Sequence, residues 1–136
     1  MTTRGSELGE YFYAQDDIDL AILFGSFGTA AERPDSDVDV AVLSKVTSAP
    51  AHALSIDRRM AMVSALAEMT GRSIDLIDMA TADIPILGAV LTTGRTLIAR
   101  DPDLRPTLLV RYLIDAADFM PYYERTLRER RASWIG

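Results

Sequence analysis

Residues 19–43 read DLAILFGSFGTAAERPDSDVDVAVL, two apolar runs on either side of a polar loop rich in turn formers. Leu20 to Phe24 and Val38 to Leu43 are short, aliphatic or β-branched and bounded by turn signals, which predicts a strand for each. Gly25-Ser26 closes the first run, and Pro34-Asp35-Ser36 marks a turn before the second. That second run opens with Asp37-Val38-Asp39. Successive side chains of a strand point to opposite faces, so Asp37 and Asp39 fall on one face, their Cα atoms about 6–7 Å apart. Asp is depleted in strands, and two carboxylates on one face repel unless a cation or solvent compensates them. At that separation they can converge on two cations about 3.5–4 Å apart, the arrangement of in-line phosphoryl chemistry.

Each half of the pattern is weak alone. A bare D-x-D is frequent, and Gly-Ser is an ordinary turn dipeptide. Their combination has a chemical sense. Gly25 lets the backbone approach a phosphate closely, and the Ser26 hydroxyl can donate to its oxygen. A helical turn over Ser26 to Ala31 would aim unpaired N–H groups at the same place.

Downstream, residues 72–79 (RSIDLIDM) predict a third strand. By parity Asp75 and Asp78 lie on opposite faces, so only one of them can join Asp37 and Asp39. Asp75 is mid-strand between Ile74 and Leu76, whereas Asp78 stands at the strand's end, where a loop or capping Asp is unremarkable.

Gly25-Ser26, ten intervening residues and Asp37-x-Asp39, with Pro34 and Ser36 in the loop and apolar strands on both sides, together form a far more specific pattern. It resembles the polymerase-β-like nucleotidyltransferases, most of all their minimal (MNT) branch, the MntA-type antitoxins of HEPN–MNT toxin–antitoxin pairs. The resemblance is strong over residues 22–43 and looser beyond, where RYLIDAADFMPYYERTL is similar to the C-terminal helix of the minimal family. It implies an enzyme that moves AMP from ATP to a tyrosine hydroxyl of a cognate HEPN ribonuclease toxin and so inactivates it. It implies Mg²⁺ or Mn²⁺ held by Asp37, Asp39 and Asp75, the three catalytic carboxylates, with a nucleoside triphosphate bound at Gly25, Ser26 and Ser36. The residues themselves leave two alternatives open: the same chemistry on a small-molecule or RNA acceptor, and a non-catalytic antitoxin that masks its toxin by binding. Many relatives carry Arg-Gly where this chain has Thr29-Ala30, which removes a phosphate-facing cation.

The rest of the chain completes an α/β pattern. Residues 5–15 predict a short amphipathic helix with Leu8, Tyr11 and Phe12 on one side. Residues 51–70 predict a helix whose apolar stripe is Ile56, Met60, Val63 and Ala67, widened by Leu66 and Met69, with Gly71 as its stop. Thr81 to Thr93 reads as a helix with Pro85 in its first turn, residues 95–100 as a fourth strand, and 104–134 as a long helix. Along one side of that helix run Leu109, Tyr112, Leu113, Ala116, Phe119, Tyr123 and Leu127. Pro121 should kink it. The expected architecture is a polymerase-β-like fold: a mixed, twisted sheet of about four strands, flanked by helices mainly on one face, in a single domain over residues 1–136.

Composition sets the outer limits. The net charge is −6 and the pI near 4.7, against the basic face of a nucleic-acid binder, so no direct nucleic-acid contact is expected. Basic charge is nearly all arginine, with Lys45 the only lysine, and Arg125, Arg128, Arg130 and Arg131 cluster near the C-terminus. A chain without cysteine, with no secretory signal pattern and no apolar run long enough to span a membrane, is expected in the cytoplasm. The single histidine, His52, cannot build a histidine metal site and reads as a surface residue.

Overall fold

The computed structural model describes residues 4–45 and 53–135. Four helices and four strands alternate as α1 (Arg4–Tyr13), β1 (Ile18–Phe24), β2 (Val38–Ser44), α2 (Ile56–Thr70), β3 (Ile74–Asp78), α3 (Ile84–Thr93), β4 (Arg95–Ala99) and α4 (Leu104–Ile135). The strands form one sheet in the order β3-β2-β1-β4. β1 pairs antiparallel with both β2 and β4, and β2 pairs parallel with β3. A parallel pair needs a crossover connection, and α2 supplies it.

The two central strands are buried on both faces, which explains why they read as continuous apolar runs rather than alternating ones. One face carries Ala21, Leu23, Val38, Val40 and Val42 against Leu8 and Phe12 of α1 and Met62 and Leu66 of α2. The other carries Leu20, Ile22, Ala41 and Leu43 against Val90 and Leu91 of α3 and the first turns of α4. Helices therefore cover both faces, where the sequence led us to expect mainly one. The reason is the apolar double-sidedness of β1 and β2, which needs two covering layers. Strand parity breaks once: Ile18 joins the first face although Leu20 lies on the second, and the ladder shifts register between them.

Helix α2 begins at Ile56, not at 51, because Ser55 caps it by accepting from the N–H of Arg58 at 3.1 Å. Gly71, with φ 69°, ends it as expected. The buried stripe is partly the predicted one: Leu66 is buried and Val63 packs against the core, but Met62 joins them, whereas Ile56 and Met60 are 76% and 62% exposed. Apolar residues lie around most of this helix, so periodicity alone did not single out the inner face. In α4, Leu104, Leu108, Leu109 and Tyr112 pack on the sheet, but Leu113 and Leu127 of the predicted stripe are exposed. A helix of 32 residues is roughly 48 Å long and outruns the strands beneath it. It continues through Pro121. His52 and the side chains of Phe119 and Tyr123 lie outside the described residues.

Candidate active site

One end of the sheet gathers most of the residues singled out by the sequence. β1 finishes there at Phe24, β2 begins there at Val38, and β3 begins there at Ile74. Asp39 is the ladder partner of Phe24 on one side and of Asp75 on the other. Neighbouring strands are about 4.8 Å apart, so the Asp39 and Asp75 carboxylates stand side by side. Both belong to the face covered by α3 and α4, because Ala41 and Ile77, two residues further along each strand, pack there. Asp37 precedes β2 rather than opening it. Its charge nevertheless acts on Asp39.

The electrostatics of Asp39 follow from that arrangement. Its side chain is half-buried, and its carboxyl is held above the usual carboxylate range, first by loss of water and then by the charges of Asp75 and Asp37. Asp75 is also within hydrogen-bonding reach of it. Asp37 and Asp75 are themselves exposed. The result is a local excess of negative charge, open to solvent on one side.

Gly25 lies opposite. It adopts φ 74°, in the left-handed region that suits glycine. A Cβ built on it would collide with the Asp39 carboxylate, so the backbone passes over Asp39 as no other residue would allow. From Gly25 the chain enters a series of turns, not the helical turn expected over Ser26 to Ala31. Donors that a helix would have presented are used inside the loop. Gly28 N–H donates to Glu32 Oε1 at 2.7 Å and Thr29 N–H to the Ser26 carbonyl at 3.0 Å. The Thr29 hydroxyl also donates to that carbonyl, at 2.6 Å. The turns bring Ser26 and Ser36 together: Ser26 Oγ donates to Ser36 Oγ at 3.1 Å, which also accepts the Arg33 N–H at 2.7 Å. Gly25, Ser26, Ser36, Asp37, Asp39 and Asp75 thus share one edge of the sheet.

Asp78 is separated from this group. It is 3% exposed and accepts from the N–H groups of Leu54 at 2.8 Å and Ala80 at 3.0 Å. It ties the approach to α2 onto the end of β3. Two residues that sequence reasoning did not single out also belong to the site's frame. Arg72 and Arg95 grip the loop from opposite sides, Arg95 by donating to the Phe27 carbonyl at 2.7 Å. An arginine adjoining a strand gives no sign in sequence of which distant carbonyl it will meet.

Among the described residues, no three Asp, Glu or His side chains are gathered closely enough to hold a metal ion as they stand. The donor chemistry does fit a hard divalent cation. Asp37, Asp39 and Asp75 offer only oxygen, the donor set such an ion takes, and burial together with the neighbouring Asp75 and Asp37 charges holds the Asp39 carboxyl above its usual range. No helix among the described residues is long and apolar enough to cross a membrane.

Residues 6–103 match the family model described as Polymerase beta, Nucleotidyltransferase. No curated protein matches the chain. Solved structures do. The fold is similar to that of a toxin–antitoxin crystal structure with AMP-PNP, at 23% identity, 95% of each chain covered and a TM-score of 0.65. It is similar to a mutant MntA–HepT toxin–antitoxin structure, at 20% identity, 97% of this chain and 96% of that one, and a TM-score of 0.69. A tri-AMPylated Shewanella oneidensis HEPN toxin in complex with MNT antitoxin matches at 22% identity, 90% of this chain, 98% of that one and a TM-score of 0.61. At these identities the likeness is one of fold.

Proposed function

The chain belongs to the Polymerase beta, Nucleotidyltransferase family, and from that premise we propose that it is a Mg²⁺-dependent protein adenylyltransferase acting as the antitoxin of a HEPN ribonuclease. In this reading it transfers AMP from ATP to a tyrosine hydroxyl of the cognate toxin and silences it. The observation that carries the proposal is the register pair Asp39–Asp75, with Asp37 alongside and Gly25 passing over Asp39. The AMP-PNP and AMPylated-toxin complexes among the structures of similar fold support the choice of nucleotide and acceptor.

Transfer forms a bond between the acceptor oxygen and the α-phosphorus while the bond from that phosphorus to the pyrophosphate oxygen breaks. The barrier is largely one of charge, since an anion is attacked and a more anionic group departs. Asp37 and Asp39 would hold Mg²⁺ or Mn²⁺, with Asp75 completing the set on the acceptor side. A divalent cation bound there supplies Lewis acidity toward phosphate oxygens and toward the attacking hydroxyl. The chain's own groups do the rest. Ser26 and Ser36 present hydroxyls to the β- and γ-phosphates, replacing the bond they make to each other. Gly25 leaves room for the phosphate backbone to lie close to the strand end. Asp75, exposed at the edge, accepts the proton of the incoming hydroxyl.

The exposure of Asp37 and Asp75 favours a macromolecular acceptor. A tyrosine on a docked protein can reach an open edge, and docking supplies the orientation that an open site does not give a small molecule. Incubation with α-labelled ATP, Mg²⁺ and the cognate HEPN protein tests the proposal. Label on the toxin, lost with Asp37→Asn, is the expected result; label on RNA or on a small molecule instead would move the acceptor assignment.

A further inference from the structure

The loop between β1 and β2 runs from Gly25 to Asp37 without helix or strand. Loops of this length inside compact domains are uncommon unless functional, and holding one in a single shape costs backbone entropy at every residue. One side chain opposes much of that cost. Arg72 follows the Gly71 cap of α2 and precedes β3, so both of its neighbours in the chain are fixed. Its Nη1 donates to the carbonyls of Arg33 at 2.9 Å and Ser36 at 3.1 Å. Its Nη2 pairs with Glu32 Oε2 at 3.1 Å, and both side chains are largely buried, at 15% and 17% exposure. The guanidinium also lies 5.7 Å from the centroid of the Phe27 ring. Glu32 extends the grip through its other oxygen, which accepts the Gly28 N–H at 2.7 Å.

The two limbs of the loop are therefore joined through one cation. The early limb, Phe27 and Gly28, is held by the ring contact and by Glu32. The late limb, Arg33 and Ser36, is held by the two carbonyls. Ser26 and Ser36 meet where the limbs meet.

We propose that Arg72, with Glu32, is a positioning latch for nucleotide binding: it holds the β1–β2 loop in the shape that presents the Ser26 and Ser36 hydroxyls together. The proposal rests on reading this edge as a nucleoside triphosphate site. The latch needs the planar fork of arginine, because three separate acceptors and a ring face are engaged at once, which a lysine ammonium cannot match. Loss of the latch therefore weakens ground-state binding of the triphosphate and leaves Asp39 and Asp75 in place on β2 and β3.

The test uses the full chain with MgATP and the cognate toxin as acceptor. Arg72→Lys, Arg72→Ala and Glu32→Gln are each compared with wild type for ATP affinity by titration calorimetry, and for KM and kcat of labelling. The expected result is an ATP KM raised about tenfold or more in both Arg72 variants, a smaller rise in Glu32→Gln, and kcat at saturating ATP changed by less than about threefold. Lysine fails to rescue, and Arg72→Ala combined with Glu32→Ala costs less than the two single losses added together, since the pair is lost only once while the Gly28 N–H held by Glu32 is lost as well. Glu32→Gln keeps an oxygen acceptor and tests the latch should Arg72→Ala not fold. Folded variants that bind ATP as wild type does, or that lose kcat with KM intact, overturn the latch alone. A wild-type protein that binds no ATP overturns the nucleotide reading, and the latch with it.

Discussion

Asp39 of β2 and Asp75 of β3 are direct partners in the parallel ladder, and the Asp39 carboxyl is held above its usual range by burial and by the charges of Asp75 and Asp37. A folded-state pKa above the unfolded value means that the native state is penalised once pH rises through it and relieved as pH falls. Asp39→Asn removes that penalty. The metal-free variant should melt higher than wild type at pH 7, with the gap closing as pH falls to the carboxylate range. Transfer activity should drop by about 10²–10³-fold, the scale of losing one electrostatic contact to a reacting centre. Thermal melts across pH, paired with labelling assays, check both halves.

Asp17 carries the opposite sign. Arg58 donates to it from Nε at 2.7 Å and Nη2 at 2.8 Å, and this bonding holds the Asp17 carboxyl below its usual range against a smaller effect of burial. Its contribution is present above the unfolded pKa and fades as pH falls through the folded one. Arg58→Ala should lower the melting temperature at pH 7, and the gap should narrow in strong acid without closing, because the bond from Arg58 Nη2 to Gln15 Oε1 at 2.7 Å is lost at every pH. Both side chains are substantially exposed, so the electrostatic part is worth about 1 kcal/mol or less.

Gly25→Ala tests the close approach at the strand end. The substitution places a Cβ against the Asp39 carboxylate and forces an L residue into a left-handed conformation that costs about 1–2 kcal/mol. ATP binding should be lost while circular dichroism shows a folded protein of lower stability.

Much of the candidate site was legible in the sequence. The Gly25-Ser26 and Asp37-x-Asp39 elements depend on local spacing, although Asp37 falls just outside the strand, and parity separated Asp75 from Asp78. What stayed hidden was long-range. Arg72 and Arg95 reach loop carbonyls across the fold, and no periodicity encodes such a partner. The loop's turns displaced the expected helical turn because the Glu32 carboxylate and the Thr29 hydroxyl accept the Gly28 and Ala31 N–H groups locally, a competition between side chains and backbone that residue type alone does not resolve. In α2 the many apolar residues obscured which ones face the sheet.

Asp75 and Asp78, three residues apart on β3, should part company on substitution. Asp75→Asn is expected to raise the melting temperature slightly at pH 7, because it removes one of the charges that bear on Asp39, and to lose labelling more than toxin binding, since its proposed task belongs to the attack. Asp78→Ala leaves the Leu54 and Ala80 N–H groups without their acceptor and should cost about 1–3 kcal/mol of stability. Denaturant melts and labelling rates, measured on both variants, separate the roles.

Covalent silencing of a partner is the activity proposed for this carboxylate cluster. Its most direct measurement is the intact mass of the cognate HEPN protein after incubation with this protein, ATP and Mg²⁺, alongside its ribonuclease activity. The expected result is a toxin heavier by a whole number of AMP units and inactive as a nuclease, and a toxin of unchanged mass that still cuts RNA when Asp37→Asn replaces wild type. A toxin silenced with no added mass, and equally well by Asp37→Asn, would contradict it and make the protein a masking partner.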